Sequence, residues 1–342
     1  MILILLPSNN QIPHLTALLS YLEQYQTAYY ILPLWEFPEK VQLTFSPNDI
    51  AGGVLIHQGN RILFQDIGCV YWTYSPTYVS SDQPSEQPCF LEESLFKFGT
   101  FNRESTLIQE KLSALGSWFR LLNCPWVDAI DTIENHLYKA YQLGLFQQAS
   151  ALKFPETRVT NSPDSLKEFC EIHSRVIVKP CFMGAYATWL TPELLTPDKL
   201  ERLKTAPVML QSYIPGFDII AIIVENLVFA SRIEPEECVS DFRQGTKNRY
   251  LPIALPDDIA RQCLSICQAL NTHFSAIDLR YTPEGEFILL EINPSPSYWH
   301  VEQATGYPIT EQLAQLLLKL HEGKSATVAF TRDSNRYFNR QC

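Results

Sequence analysis

A chain of 342 residues is long enough for two or three subdomains with buried cores, and 46% hydrophobic with 18% charged residues excludes wholesale disorder. Lys and Arg number 26 against 37 Asp and Glu, and the net charge of −11 argues against nucleic acid as a main partner while leaving room for a local basic pocket. The nine cysteines include no CxxC pair, so neither a four-ligand zinc site nor a disulfide framework is expected, and they read as small buried hydrophobes.

The opening apolar run, Met1 to Leu6, lacks a basic leader and is too short for a signal peptide or a membrane span. It reads as the first strand of a cytoplasmic protein with no membrane partner. Leu15, Leu18, Leu19 and Leu22 give residues 14–25 helical spacing, and residues 29–34 form a second strand. Residues 54–57 and 61–64 bracket Gln58, Gly59 and Asn60 as a hairpin, followed by a strand over 69–74. Strands alternating with helices predict an α/β unit with a parallel or mixed sheet over residues 1–128. A loop rich in Pro and Ser follows at 76–88, and no glycine-rich phosphate motif follows any of these strands. The unit therefore supplies scaffold or substrate surface, and its apolar character leaves room for a homodimer. Helical spacing then runs over 90–122 and stops before Asn123, Cys124 and Pro125, a boundary signal.

The next segment, 129–206, carries two lysines. Lys139 lies in a helical stretch over 132–143 that Gly144 halts, and Lys179 ends a strand over 175–179 just before Pro180. A Lys where a strand leaves its sheet reaches a phosphate as a point charge, and a solvated surface lysine is the competing reading of either one. The run that follows has one glycine, Gly184, a weak phosphate cradle by itself.

Beyond 207 come a strand over 208–211, Ser212 to Gly216, and two strands over 217–224 and 227–233 around a turn at Glu225 and Asn226. Strands this apolar are buried on both faces, so Asp218 needs a ribose hydroxyl or a cation as partner, unless it caps its own turn. Arg243, Lys247 and Arg249 cluster next and, with Arg280, either supply charge beside a phosphoryl group or form a solvated basic loop. Helices over 256–270 and 310–321 follow, and the tail over 326–342 carries Arg332, Arg336 and Arg340 as a frayed end or interaction arm.

Residues 274–297 read as a β-hairpin with a two-residue loop at Glu284 and Gly285. That register sets Asp278 opposite Glu291, Ala276 opposite Asn293 and Arg280 opposite Leu289 on one face. Ile277, Leu279, Tyr281, Ile288, Leu290 and Ile292 take the other. Opposed carboxylates, with Cβ atoms roughly 4.5–5.5 Å apart, repel unless a cation lies between them. Mg²⁺ suits the place, because it takes oxygen ligands and is usually held by one or two carboxylates plus a substrate phosphate. Asn293 adds a neutral carbonyl oxygen. The competing reading is an amphipathic hairpin with a solvated outer face, and a bulge would shift the partners.

Taken together, Lys139, the VIVKP of 176–180, the QSYIPGFD of 211–218 and the AIDLR to LLEINPSPS span of 276–297 resemble the ATP-grasp ligases. In order and spacing they are most similar to the branch of ribosomal-protein glutamate ligases and microviridin-type graspetide macrocyclases, and VYWTY at 70–74 is similar to a segment of the macrocyclase N-terminal sheet. The resemblance implies an ATP-grasp fold of α/β (α+β) class, with an N-terminal domain over 1–128. A central subdomain over 129–206 and a C-terminal one over 207–325 would sandwich ATP and two Mg²⁺.

By position, Lys139 and Lys179 would hold phosphates, and Gln211, Ser212, Tyr213 and Ile214 would be the hinge under adenine. Asp218 would meet the ribose, and Asp278, Glu291 and Asn293 would be the metal ligands. Arg243, in an Asp-aromatic-Arg run similar to that of the macrocyclases, would face the acyl phosphate, with Lys247 and Arg280 as further catalytic cations. Two positions depart from the pattern: Ser212 stands where an acid is common, and Ile220 where relatives often carry Arg. The implied activity is ATP-dependent joining of a carboxylate to an amine or hydroxyl through an acyl phosphate, on an acidic precursor peptide. An amino acid substrate, or a nucleotide-binding partner protein with a decayed site, are the alternatives.

Overall fold

Ile2–Leu6 is apolar at every position, as a strand must be when both of its faces are covered. In the computed structural model, which describes residues 1–7, 13–73, 103–181, 187–235 and 248–323, it is an inner strand of a parallel sheet. The strand order is Tyr29–Pro33, Ile2–Leu6, Cys69–Trp72, Trp126–Val127. Leu3 and Leu5 face Trp118 and Phe119 of the helix Arg103–Leu121 and a three-stranded antiparallel sheet, Val41–Ser46, Asp49–His57 and Asn60–Leu63. The expected hairpin is there, turning on Gln58 and Gly59 at φ 51 and 78, as a two-residue loop requires. Its third strand, Val41–Ser46, was not foreseen.

Ile2 and Ile4 face the opposite way, onto Leu18 and Leu22 of the helix Leu15–Gln24 and onto Leu313 and Leu317 of the helix Ile309–Gly323. The same core takes in Ile220, Ile222, Val224 and Phe274, so it binds the parallel sheet to a five-stranded antiparallel one. That larger sheet has the order Arg249–Ile253, Leu227–Glu234, Phe217–Val224, Phe274–Tyr281, Phe287–Pro294. Phe217–Val224 is buried on both faces as its composition implied: Ile219, Ala221 and Ile223 enter a second core with Cys263 and Cys267 of the helix Asp257–Ala269. A third, four-stranded antiparallel sheet has the order Thr188–Trp189, Val176–Pro180, Val208–Ser212, Thr157–Thr160 and is backed by Leu166, Phe169 and Leu203.

The hairpin sets Asp278 opposite Glu291 and Ala276 opposite Asn293, by a route the sequence reading did not take. Its loop is Pro283, Glu284 and Gly285, since the Thr282 N–H donates to the Glu286 carbonyl at 2.9 Å and the Gly285 N–H to the Thr282 carbonyl at 3.0 Å. Gly285 takes φ +87, the left-handed turn that a three-residue loop needs. The longer loop moves the register by one residue, and a bulge between Asp278 and Leu279 moves it back. Between loop and bulge the expected pairs are therefore wrong. Arg280 pairs with Ile288 and Leu279 with Leu289; Leu289 is in the core, and Leu290 turns to the polar face.

The stretch expected as one helix over 132–143 is two, Ile130–His136 and Lys139–Ala149, with Gly144 inside the second. The break at Leu137 and Tyr138 follows i to i−3 bonds onto Glu134 and Asn135 that tighten the first helix at its end. A short helix, Trp299–Thr305, was also missed. The segments 76–88 and 326–342, Tyr74 and Gly184 lie outside the described residues. Among the described residues no helix is long and apolar enough to cross a membrane.

Asp128, just past the last strand of the parallel sheet, is fully buried. Its carboxyl group accepts from Thr272 Oγ1 at 2.8 Å, His273 N at 2.7 Å and Phe274 N at 3.3 Å, tying that sheet to the start of Phe274–Tyr281. Burial outweighs these bonds and pushes its pKa up to about 7. The folded chain thus keeps a proton there that the unfolded chain releases, so this contribution is full below about pH 4 and is lost as pH rises through 7. Asp128→Asn should flatten the pH dependence of the urea midpoint across that window; a profile parallel to wild type would refute the linkage.

Candidate active site

Side chains alternate along strands, so the pairing of Ile177 with both Gln211 and Trp189 puts Arg175, Ile177, Lys179, Gln211, Tyr213 and Trp189 on one face of the four-stranded sheet. Ile177, Lys179, Ala187 and residues 211–214 from this side meet Asp218, Asp278, Arg280, Leu290 and Glu291 from the five-stranded sheet across a cleft. The cleft holds about 650 Å³ of empty space counting its open mouth. Two sheets far apart in sequence thus close on one space, lined by Lys179, residues 211–214, Asp218, Asp278, Arg280 and Glu291 of those singled out from the sequence, while Lys139 and Asn293 reach it through its acids. Arg243 and Lys247 lie outside the described residues.

One end is ionic. The Asn293 amide nitrogen is 3.4 Å from both Asp278 Oδ2 and Glu291 Oε1, and Lys139 Nζ is 3.6 Å from Glu291 Oε2. Lys139 arrives at the first position of its helix rather than mid-helix as expected. Among the described residues no three or more His, Cys, Asp or Glu side chains converge as a metal cage. Two carboxylates and an amide are instead a partial oxygen set, which suits a hard cation whose remaining places are filled by water and phosphate oxygens. Turning the Asn293 amide by half a rotation presents Oδ1 in place of the nitrogen. These residues fit Mg²⁺. Ile220, where the resemblance led one to look for Arg, pairs with Asp278 and is buried, so no cation reaches the acids from there.

The other end is made by residues 211–214, the expected hinge. Arg280 donates from Nε to the Ile214 carbonyl at 3.0 Å, from Nη1 to Asp218 Oδ1 at 2.7 Å and from Nη2 to the Tyr213 hydroxyl at 3.2 Å. Of the partners considered for Asp218, the structure supplies the cation. Burial works against the Arg280 charge, but Asp218 and Tyr213 outweigh it and hold the guanidinium above its ordinary range. Gln211 is buried, its Nε2 donating to Thr157 Oγ1 at 3.0 Å.

Two neighbours of the hinge escaped the sequence reading. The Arg175 guanidinium lies 4.1 Å from the Trp189 ring centre and 4.3 Å from that of Tyr213, a cation held between two aromatic faces. Alternation back from Lys179 puts Arg175 on the right face, but Trp189 joins it only once the strand register is known.

No protein-family profile matches the chain, and no curated protein sequence does. Solved structures do. The ATP-grasp ligase PsnB, complexed with a phosphomimetic variant of a minimal precursor, Mg and ADP, aligns at TM-score 0.76 and 21% identity over 94% of this chain and 98% of its own. The macrocyclase MdnC from Microcystis aeruginosa MRC, bound with precursor peptide MdnA, aligns at 0.76 and 20% over 93% and 99%. A Chryseobacterium gregarium RiPP-associated ATP-grasp ligase, in complex with ADP and a leader and core peptide, aligns at 0.75 and 19% over 93% and 96%. The likeness takes in the N-terminal sheets as well as the cleft, and the chain has the α/β fold of the ATP-grasp ligases.

Proposed function

We propose that this chain is an ATP-dependent ligase that activates a carboxylate as an acyl phosphate and joins it to an amine or hydroxyl, and that the carboxylate is a side chain of a ribosomally made precursor peptide. The observation that carries the reading is one cleft lined by Asp278 and Glu291, with Asn293 and Lys139 against these acids, and by residues 211–214. That arrangement matches a ligand with an anionic chain and a flat apolar ring.

Asp278, Glu291 and Asn293 would hold Mg²⁺, which when bound supplies positive charge to the phosphoryl oxygens. Lys139, beside Glu291, and Lys179, in the cleft wall, would neutralise phosphate charge, while Ile177, Ala187 and Leu290 would give the ring apolar surface. The acceptor carboxylate oxygen attacks the γ-phosphorus in line and ADP departs. The nucleophile then attacks the acyl carbon and phosphate departs. The protein's part is positioning and charge.

A peptide acceptor is favoured over a free amino acid because three aligned ligases, matched along nearly their whole lengths, are named with precursor, leader or core peptides. A side-chain acceptor carboxylate in a peptide is that of Asp or Glu, and an ATP-consuming step on a ribosomal product belongs in the cytoplasm. The test is the mass of candidate peptides and amino acids after incubation with the protein, ATP and Mg²⁺. Loss of one water per bond within a peptide is expected. Ligation of free amino acids alone would replace the peptide by a small substrate, and Mg-ADP binding without ADP production on any acceptor would leave a nucleotide-binding partner protein.

A further inference from the structure

Ile292 stands between Glu291 and Asn293 on Phe287–Pro294, one of the two edge strands of the five-stranded sheet. An edge strand leaves a row of backbone N–H and C=O groups without a neighbouring strand. At Ile292 a side chain takes the neighbour's place. Gln142 Oε1 accepts from the Ile292 N–H at 3.2 Å, and Gln142 Nε2 donates to the Ile292 carbonyl at 2.8 Å. His136 Nδ1 lies 3.2 Å from the same carbonyl oxygen. Gln142 is 3% exposed and belongs to Lys139–Ala149, the helix whose first residue sets its ammonium beside Glu291. Residues three apart are neighbours on a helix surface. One helix face therefore meets the backbone behind the acids and the carboxylate in front.

The location gives the contact a purpose. The bulge falls immediately before Glu291, where the ladder to Phe274–Tyr281 is interrupted and the strand bends. Without a second restraint, the direction in which Glu291 and Asn293 leave the strand would be set on one side only. An amide that holds both backbone groups of the residue between them supplies that restraint.

We propose that Gln142 is a positioning residue for the acid face: by fixing the Ile292 backbone it aims Glu291 and Asn293 at one shared point. The proposal rests on the reading of Asp278, Glu291 and Asn293 as Mg²⁺ ligands. The experiment is calorimetric titration of ADP into the full chain, with and without Mg²⁺, for wild type, Gln142→Met and Gln142→Glu. Met keeps the length and removes both bonds. Glu keeps the acceptor for the Ile292 N–H and, protonated where it is buried, offers one O–H to the carbonyl, so it carries the test should the Met variant fail to fold.

Metal-free ADP affinity should be unchanged in both variants, while the Mg²⁺ affinity of the ADP-bound protein falls about 10- to 100-fold in Gln142→Met and by less in Gln142→Glu. Equal loss with and without Mg²⁺ would show a merely structural glutamine and overturn the proposal, as would a Mg²⁺ response unchanged in the variants. A wild type whose ADP binding ignores Mg²⁺ would sink the ligase reading and the positioning role together. A wild-type response retained in Gln142→Met sinks the positioning role alone.

Discussion

Glu291→Gln is expected to lower ATP turnover by roughly 10³-fold with the protein still folded, and Asp278→Asn to do the same. Each amide keeps the shape of the acid and removes one of the two opposed charges. Relieving that opposition offsets what Glu291→Gln loses at the Lys139 ammonium, 3.6 Å from Glu291 Oε2, so both variants should stay folded with only modest changes in midpoint. The loss of activity is then separable from unfolding. A coupled assay of ADP release, run beside a urea melt, makes the separation. ADP release at the wild-type rate in either variant would defeat the assignment of the acid face.

Arg280→Met is expected to cost about 2–4 kcal/mol of stability and to weaken nucleotide binding about tenfold or more. The side chains of Arg280 and Asp218 are 16% and 15% exposed, so removing the cation strands a carboxylate that solvent reaches poorly. The Ile214 carbonyl and the Tyr213 hydroxyl lose a donor in the same step, and both belong to the hinge. Arg280→Lys keeps the charge but not the fork that spans three acceptors, so it should recover only part of the loss. Pairing Arg280→Met with Asp218→Asn should restore stability more than affinity, because it removes the stranded charge without rebuilding the hinge. Urea midpoints and nucleotide titrations for the three variants decide the matter. Equal midpoints for wild type and Arg280→Met would show that the ion pair contributes nothing.

What could be read from the sequence was what repeats with a short period. The strand Ile2–Leu6, the apolar pair Phe217–Val224 and Leu227–Glu234, and the helix Asp257–Ala269 all announce themselves by the spacing of their apolar residues. The acid face was legible for a less direct reason. The assumed loop was one residue too short and the bulge was not seen, and the two errors cancel at Asp278 and Glu291 but not at Leu289 and Leu290.

The break at Leu137 and Tyr138 was illegible, because no Pro or Gly marks it and Gly144, which looked like a stop, lies within a helix. Gln142 carried no signal either. Its partner is 150 residues away, and a lone Gln in a helix looks like surface. Trp189 joins residues 211–214 only through the register of its own sheet, and Arg280 only because a second sheet packs across from it. Arg243 and Lys247 lie outside the described residues; the place of Arg243 beside the acyl phosphate stays a proposal carried by the resemblance, and that of Lys247 one carried by the cluster of cations in the sequence.

A regular strand sends consecutive side chains to opposite sides, so it cannot set a hydrocarbon surface and a carboxylate next to each other against a single bound molecule. Leu290 and Glu291 both face the cleft because the strand carries one residue more than its partner. Grease and charge are thereby brought within about one residue's rise, ~3.3 Å, of each other. Shortening the strand by Leu290 alone would restore an uninterrupted ladder with Glu291 still opposite Asp278 and Leu289 still inside. On the proposed reading such a protein would keep its hold on the phosphates and grip the ring less well, with Ile177 and Ala187 left on the facing sheet.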